Sequence, residues 1–153
     1  KNVEQRTLIR RTWAKQPKFK KSQWLSVIFL IGSLANDDEE NQDVQALIRQ
    51  ESYTYGDVVQ VNVVDSYKNL TLKSVAMLHW AHTNCPSAQL VIKCDDDNFV
   101  NYDTLARIAP YLNDTNSIYG TSVSTLRPAR SKRERLVYYV AIFVKQEVKL
   151  LNT

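Results

Sequence analysis

The sequence predicts an α/β layered domain built around a mostly parallel sheet. Dense apolar, β-branched runs recur at 24–31, 57–64 and 89–94, each of strand length. The segments between them space their apolar residues at helical intervals. Strands alternating with helices fold as a layered sheet of largely parallel strands.

Each element follows from its residues. Residues 2–13 set Val3, Leu8, Ile9 and Trp13 among charged neighbours and read as a helix. The run 24–31 is closed by Gly32 and reads as a buried strand. After the acidic stretch 37–41, Val44, Leu47 and Ile48 fit one face of a second helix. Gly56 ends it, and 57–64 form the next strand. Asn69 stands where an N-cap belongs. The helix behind it runs through His82, with Leu72, Val75, Ala76, Leu78 and Trp80 on a broad apolar face. Residues 89–94 form a third strand. A helix over 102–112 is interrupted near its end by Pro110. Short strands are expected at 118–122 and 136–144.

The 153 residues suffice for one domain with its own core. With 3 Gly and 4 Pro, the composition excludes collagen-like chains and argues against disorder. A formal charge of +4 favours anionic partners, nucleotides included, without specifying one. The longest apolar stretches, 24–31 and 136–144, fall far short of the roughly 20 residues a spanning helix needs. The chain opens on Lys1 and reads as a piece of something longer. Cys85 and Cys94 flank an extended segment that separates their Cα atoms by roughly 20–30 Å, against the 7 Å or so a disulfide allows. No internal bridge is expected. Sequons at Asn69 and Asn113 are slight evidence for a secretory-pathway lumen.

The chemically suggestive stretch is Asp95, Asp96 and Asp97, set directly behind the apolar run Leu90-Val91-Ile92. Adjacent carboxylates repel, and a chain that gathers them at a strand end needs a cation or donors to offset that repulsion. Hard cations such as Mg²⁺ or Mn²⁺ take oxygen ligands and bridge carboxylates to phosphorylated substrates. In α/β sheets, ligands collect beyond the carboxyl ends of the strands. The competing reading is a solvated turn with Asp capping a helix. An EF-hand is excluded, because the positions requiring Gly and Glu hold Val100 and Ala106.

The flanks favour the metal–phosphate reading. In order, the chain shows Ile9-Arg10-Arg11-Thr12-Trp13, Phe29-Leu30-Ile31-Gly32, Asp57-Val58-Val59, Asp65-Ser66-Tyr67-Lys68-Asn69-Leu70-Thr71-Leu72-Lys73, Trp80, Cys85 and Lys93-Cys94-Asp95-Asp96-Asp97-Asn98-Phe99-Val100-Asn101. This succession, over roughly residues 3 to 128, resembles the β-1,3-galactosyltransferase family, which includes β-1,3-N-acetylglucosaminyltransferases. The resemblance implies a GT-A-like nucleotide-binding sheet, here incomplete at its C-terminus. It also implies a UDP-galactose or UDP-N-acetylglucosamine donor, Mn²⁺ or Mg²⁺, and a glycoprotein or glycolipid glycan as acceptor. Transfer would proceed with inversion to a β-1,3 linkage. Members are lumenal Golgi proteins held by a membrane anchor, which is expected to lie outside this chain. By analogy, Asp97 would bind the metal, and Asp95 the ribose or a metal-bound water. Asp96 would support that geometry or touch the sugar.

Arg10 and Lys73 match basic positions near the family's diphosphate, or are solvated helix residues. Asp65 contacts the uridine or caps the turn before the helix. Asn69 is a glycan acceptor, a helix cap, or both. Trp13, Trp80 and Tyr67 read as core residues rather than stacking platforms. His79 and His82 have permissible metal spacing but no third ligand.

After Pro128 the motifs fade, so 1–153 is read as a single partial catalytic domain with a divergent tail from about 129. The family's later acidic motif, which supplies the general base, is expected beyond residue 153. Such a chain would bind donor but transfer little or no sugar. Two alternatives belong to other classes. One is a non-catalytic truncated family member. The other is a nucleic-acid-binding module using Arg127, Arg130, Lys132, Arg133 and Arg135, although no recognition helix accompanies that run and no nucleic acid partner is expected.

Overall fold

The computed structural model describes residues 2–15, 23–35, 39–112, 117–120 and 139–146. In chain order these form α1 (Val3–Arg11), β1 (Gln23–Ser33), α2 (Glu39–Tyr55), β2 (Val58–Val64), α3 (Leu70–Asn84), β3 (Ala88–Asp95), α4 (Tyr102–Ile108) and β4 (Tyr139–Gln146). Short 3₁₀ turns precede α3 at Tyr67–Asn69 and follow α4 at Ala109–Tyr111. The last of these is where Pro110 forbids a continued α-helix. Gly56 leaves α2 at φ 65°, the left-handed geometry glycine adopts without strain.

The described strands pair in the order β2-β1-β4-β3. β1 and β2 are parallel, and β4 runs antiparallel to both β1 and β3. Three of these four strands therefore point one way, and β4 is the exception, lying between two parallel strands. The strand expected at 118–122 does not form over its described part. Ser117–Gly120 carries no regular structure, and Ile118 lies fully exposed.

Successive residues of β1 point to opposite faces. Phe29 and Ile31 pack with Ile9, Trp13, Ile48, Val58 and Tyr102, which places α1, α2 and α4 on one side. Leu30 packs with Met77 and Ala81 of α3 on the other. The result is a three-layer helix–sheet–helix arrangement. Trp13 meets Tyr102 edge-on at 6.0 Å. Trp80 packs against the α3 side of the core. Tyr67, expected in the core, is instead exposed, because the turn that carries it lies outside the layers.

Asn69 does not cap α3 with its side chain. Its Nδ2 donates to the Val64 carbonyl at 2.9 Å, and the Ser66 hydroxyl accepts from the Lys68 N–H instead. This corner is tight. A Cβ placed on Gly32 would stand 2.5 Å from the Val63 carbonyl oxygen and 2.9 Å from the Asp65 Cα. Backbone atoms cannot rotate aside, so Gly32→Ala must push β1 and β2 apart. A loss of about 1–3 kcal/mol is expected, read as a lower urea midpoint, and an unchanged midpoint would contradict this packing.

Candidate functional site

The carboxyl ends of β1, β2 and β3 share one rim of the sheet. β3 ends at Asp95, where the Asn98 N–H donates to the Asp95 carbonyl at 3.2 Å and closes a turn. That turn carries Asp96 and Asp97 over the rim, beside the amino end of α1. Asn2 Nδ2 donates to Asp96 Oδ2 at 3.0 Å, and Gln5 Nε2 to the Asp96 carbonyl at 2.9 Å. Asn2 sits at φ 71°, a left-handed geometry that Asn tolerates better than most residues. Asp96 is thus fixed. Asp97 is exposed, and no described residue donates a hydrogen bond to it. Asn2, Val3, Glu4, Gln5, Asp96 and Asp97 line an open cleft of about 560 Å³.

The Cys94 thiol reports the local field. Burial, and then the charges of Asp95 and Asp96, push it up to about 11. It stays neutral and serves as packing. Among the described residues, no three His, Cys, Asp or Glu side chains converge to hold a metal. The donor set still fits a hard cation, because Mg²⁺-like ions commonly use one or two carboxylates and take their remaining ligands from phosphates and water. Asp97 is the carboxylate positioned for that, with Asp95 half-buried two residues before it. His79 and His82 are both exposed on α3.

Asp65 and Lys73 meet at the far end of the same rim. Lys73 has no exposed surface, and its Nζ donates to Asp65 Oδ1 at 2.8 Å. The Asp65 N–H donates to the Ser33 carbonyl at 2.9 Å, tying the ends of β1 and β2. Lys73 is neither a solvated helix residue nor directed at the acidic turn: its ammonium is given to a carboxylate inside the fold.

Arg10 lies at the other end of β2. Its Nε and Nη2 donate to the two Asp57 oxygens at 2.7 and 2.6 Å, and its Nη1 to Glu51 at 2.8 Å. The guanidinium stacks 4.0 Å from the Tyr55 ring and 4.8 Å from that of Phe29. Burial opposes its charge, but the bonds and charges of Asp57 and Glu51 outweigh that and raise its pKa. Asp57 precedes β2 whereas Asp65 follows it, so the structure does not bring Arg10 to the rim that holds Asp95, Asp96 and Asp97. Arg6, which the sequence reading passed over, lies beside it, nearly buried and forked onto Glu51, with Nε to Oε1 at 2.8 Å. Asn113 and the basic run 127–135 lie outside the described residues.

A layered α/β domain with a free carboxylate and a locked Asp–Lys pair along one carboxyl rim is a class of fold that holds polar ligands at that rim. Residues 4–148 match the Galactosyltransferase family, and the chain belongs to that family. The match runs past residue 128, where the recognisable motifs fade. N-acetyllactosaminide beta-1,3-N-acetylglucosaminyltransferase 3 of Homo sapiens is 35% identical over 149 residues, covering 95% of this chain and 38% of that protein. Beta-1,3-galactosyltransferase 5 of Homo sapiens is 35% identical over 119 residues, 78% of this chain and 36% of that protein. UDP-GlcNAc:betaGal beta-1,3-N-acetylglucosaminyltransferase 7 of Rattus norvegicus is 34% identical over 150 residues, 90% of this chain and 34% of that protein. The chain thus spans little more than a third of the length of these relatives. No solved structure matches it.

Proposed function

We propose that this chain is the donor-binding part of a UDP-sugar-dependent β-1,3-hexosyltransferase, carrying galactose or N-acetylglucosamine to a glycan by inversion. Family membership supports the reaction class, and the names of the relatives support both candidate sugars. The observation that carries the site assignment is Asp97. It is an exposed carboxylate in a cleft bounded by the amino end of α1, at the carboxyl rim of the sheet. Asp97 would hold a divalent cation, with Asp95 behind it and Asp96 fixed by Asn2 and Gln5. The positive end of α1 would favour the diphosphate on the same side. When bound, the cation supplies Lewis-acid stabilisation of the charge that grows on the departing diphosphate. The residues of this chain bind and orient the leaving group. Golgi residence in the lumenal orientation belongs to the same reading. Among the described residues, no helix is long and apolar enough to cross a membrane.

Calorimetric titration of UDP in the presence of Mn²⁺ tests the assignment. Asp97→Ala is expected to weaken Mn²⁺-dependent UDP binding at least about tenfold, with the melting temperature preserved because the side chain is exposed. Equal UDP affinity for the intact chain and Asp97→Ala would defeat the metal assignment.

A further inference from the structure

We infer that Asn2 and Gln5, at the amino end of α1, are positioning residues that keep Asp96 out of the cation's ligand set, so that the turn offers Asp95 and Asp97 alone and favours Mn²⁺ over Ca²⁺. This rests on the donor-site reading above and adds to it the choice of cation.

Three consecutive carboxylates repel one another, and a cation or hydrogen-bond donors must offset that repulsion. The fold divides the task between the two. Asp96 receives neutral donors from α1: Asn2 Nδ2 on its Oδ2 at 3.0 Å and Gln5 Nε2 on its carbonyl at 2.9 Å. An ionised carboxylate and a carbonyl only accept, so both amides must present their nitrogens. Asp96 is thereby fixed by side chain and by backbone, with its carboxylate held to α1. Asp97, next along the same turn, is exposed and receives no bond from any described residue.

Asn2 holds this contact against its local preferences. Asn at a helix N-cap ordinarily turns its side-chain oxygen onto an N–H of the first turn. Asn2 makes no such bond. It also stands at φ 71°, the one non-glycine residue with positive φ among the described residues. Both departures serve a contact 94 residues away in sequence. Local strain of this kind persists only where the surrounding structure over-determines it. Here the support is α1 itself. Arg6 and Arg10 are bound to Glu51 and Asp57, and Ile9 and Trp13 lie in the core. The helix is anchored at its far side, so it fixes Asp96 rather than yielding to it.

Cation chemistry makes the removal of Asp96 matter. Small hard ions such as Mg²⁺ and Mn²⁺ favour octahedral oxygen shells, and Mg²⁺ sites commonly use one or two carboxylates completed by phosphate oxygens and water. Ca²⁺ accepts about six to eight oxygens in flexible geometry, and its affinity rises with the number of charged ligands. A third carboxylate would therefore favour Ca²⁺. Withholding Asp96 leaves a set suited to the smaller ion and to a diphosphate.

The experiment titrates UDP into the 153-residue chain in Mn²⁺ and, separately, in Ca²⁺, with melting temperatures alongside. The intact chain should bind UDP at least about tenfold more tightly in Mn²⁺. Asn2→Gly/Gln5→Met removes both donors. Glycine adopts the left-handed geometry freely and methionine is a good helix former, so the melting temperature should hold. This variant should bind UDP several-fold more weakly in Mn²⁺ and several-fold more tightly in Ca²⁺, whereas a merely structural role would weaken both. Adding Asp96→Asn to it should abolish the gain in Ca²⁺, because the third carboxylate is then gone. Asp96→Asn alone keeps an acceptor oxygen for Asn2, and should lower UDP affinity in Mn²⁺ far less than Asp97→Ala. Equal UDP affinity of the intact chain in the two ions, or an unchanged ratio in the folded double variant, would overturn the selectivity role of Asn2 and Gln5. Asp96→Asn as damaging as Asp97→Ala would overturn it as well, by making Asp96 a ligand. Each of these results leaves the donor site standing. Failure of the intact chain to bind UDP in Mn²⁺ would overturn that site as a whole.

Discussion

Glu51→Ala is expected to destabilise the chain by about 3–5 kcal/mol, the cost of removing one member of a buried ion cluster. Glu51 accepts both Arg6 and Arg10 and is itself nearly buried. Its loss leaves two guanidiniums facing a cavity. Arg10 keeps Asp57, whereas Arg6 loses the carboxylate on which it is forked. Against a typical stability of about 5–15 kcal/mol, little remains. Replacing Arg6 and Glu51 together by Met and Leu should cost much less, because no charge is stranded. Urea titrations of the single and paired variants test this, and equal losses in the two would contradict it.

The same cluster sets an acid limit. Burial alone would raise the Glu51 pKa, but the bonds and charges of Arg6 and Arg10 outweigh it and hold the pKa below its ordinary value. A carboxyl depressed in the folded state adds stability above its unfolded value, about 4.3. That stability is lost as pH falls through this value toward the lower folded one. The chain should therefore unfold more readily below about pH 4. Glu51→Gln, already weaker at neutral pH, should show a shallower acid slope.

Sequence periodicity locates the helices and the strands β1 to β3 because each signal is local, whereas the short run at 118–122 carries too little of it and forms no strand over its described part. A dense β-branched run between turn residues reads as a strand wherever it pairs. Asp95, Asp96 and Asp97 were legible for the same reason, since a strand end followed by carboxylates needs no knowledge of neighbours. The pairing partners of charged residues were not legible. Arg6, Arg10 and Glu51 sit on helices whose charges look like solvated faces, and only the approach of α1 to α2 and β2 turns them inward. Lys73 did leave a trace. It is the lone charged residue in an otherwise uncharged helix, and a charge so placed is either conspicuous in solvent or paired inside. Strand order was the least accessible feature, because the position of β4 depends on contacts with residues far away in sequence.

That position makes Ile142→Pro the other severe substitution. Ile142 stands opposite Val27 of β1 on one side and Ile92 of β3 on the other. Proline has no N–H for the ladder, and its ring is not accommodated within a strand paired on both edges. A loss of about 3 kcal/mol or more is expected, with Ile142→Val as the mild control. The consequence reaches the rim. Among the described strands, β4 alone bridges β1 to β3, so it fixes Asp95 at the level of Leu30 and, through β1, sets its distance from Asp65. Hydrogen exchange should show β1 and β3 amides losing protection together in Ile142→Pro, and UDP binding should fail although every proposed ligand contact remains in the sequence. Native-like protection in both strands would mean that β4 does not hold the sheet together, and the alignment of Asp65 with Asp97 would then need another cause.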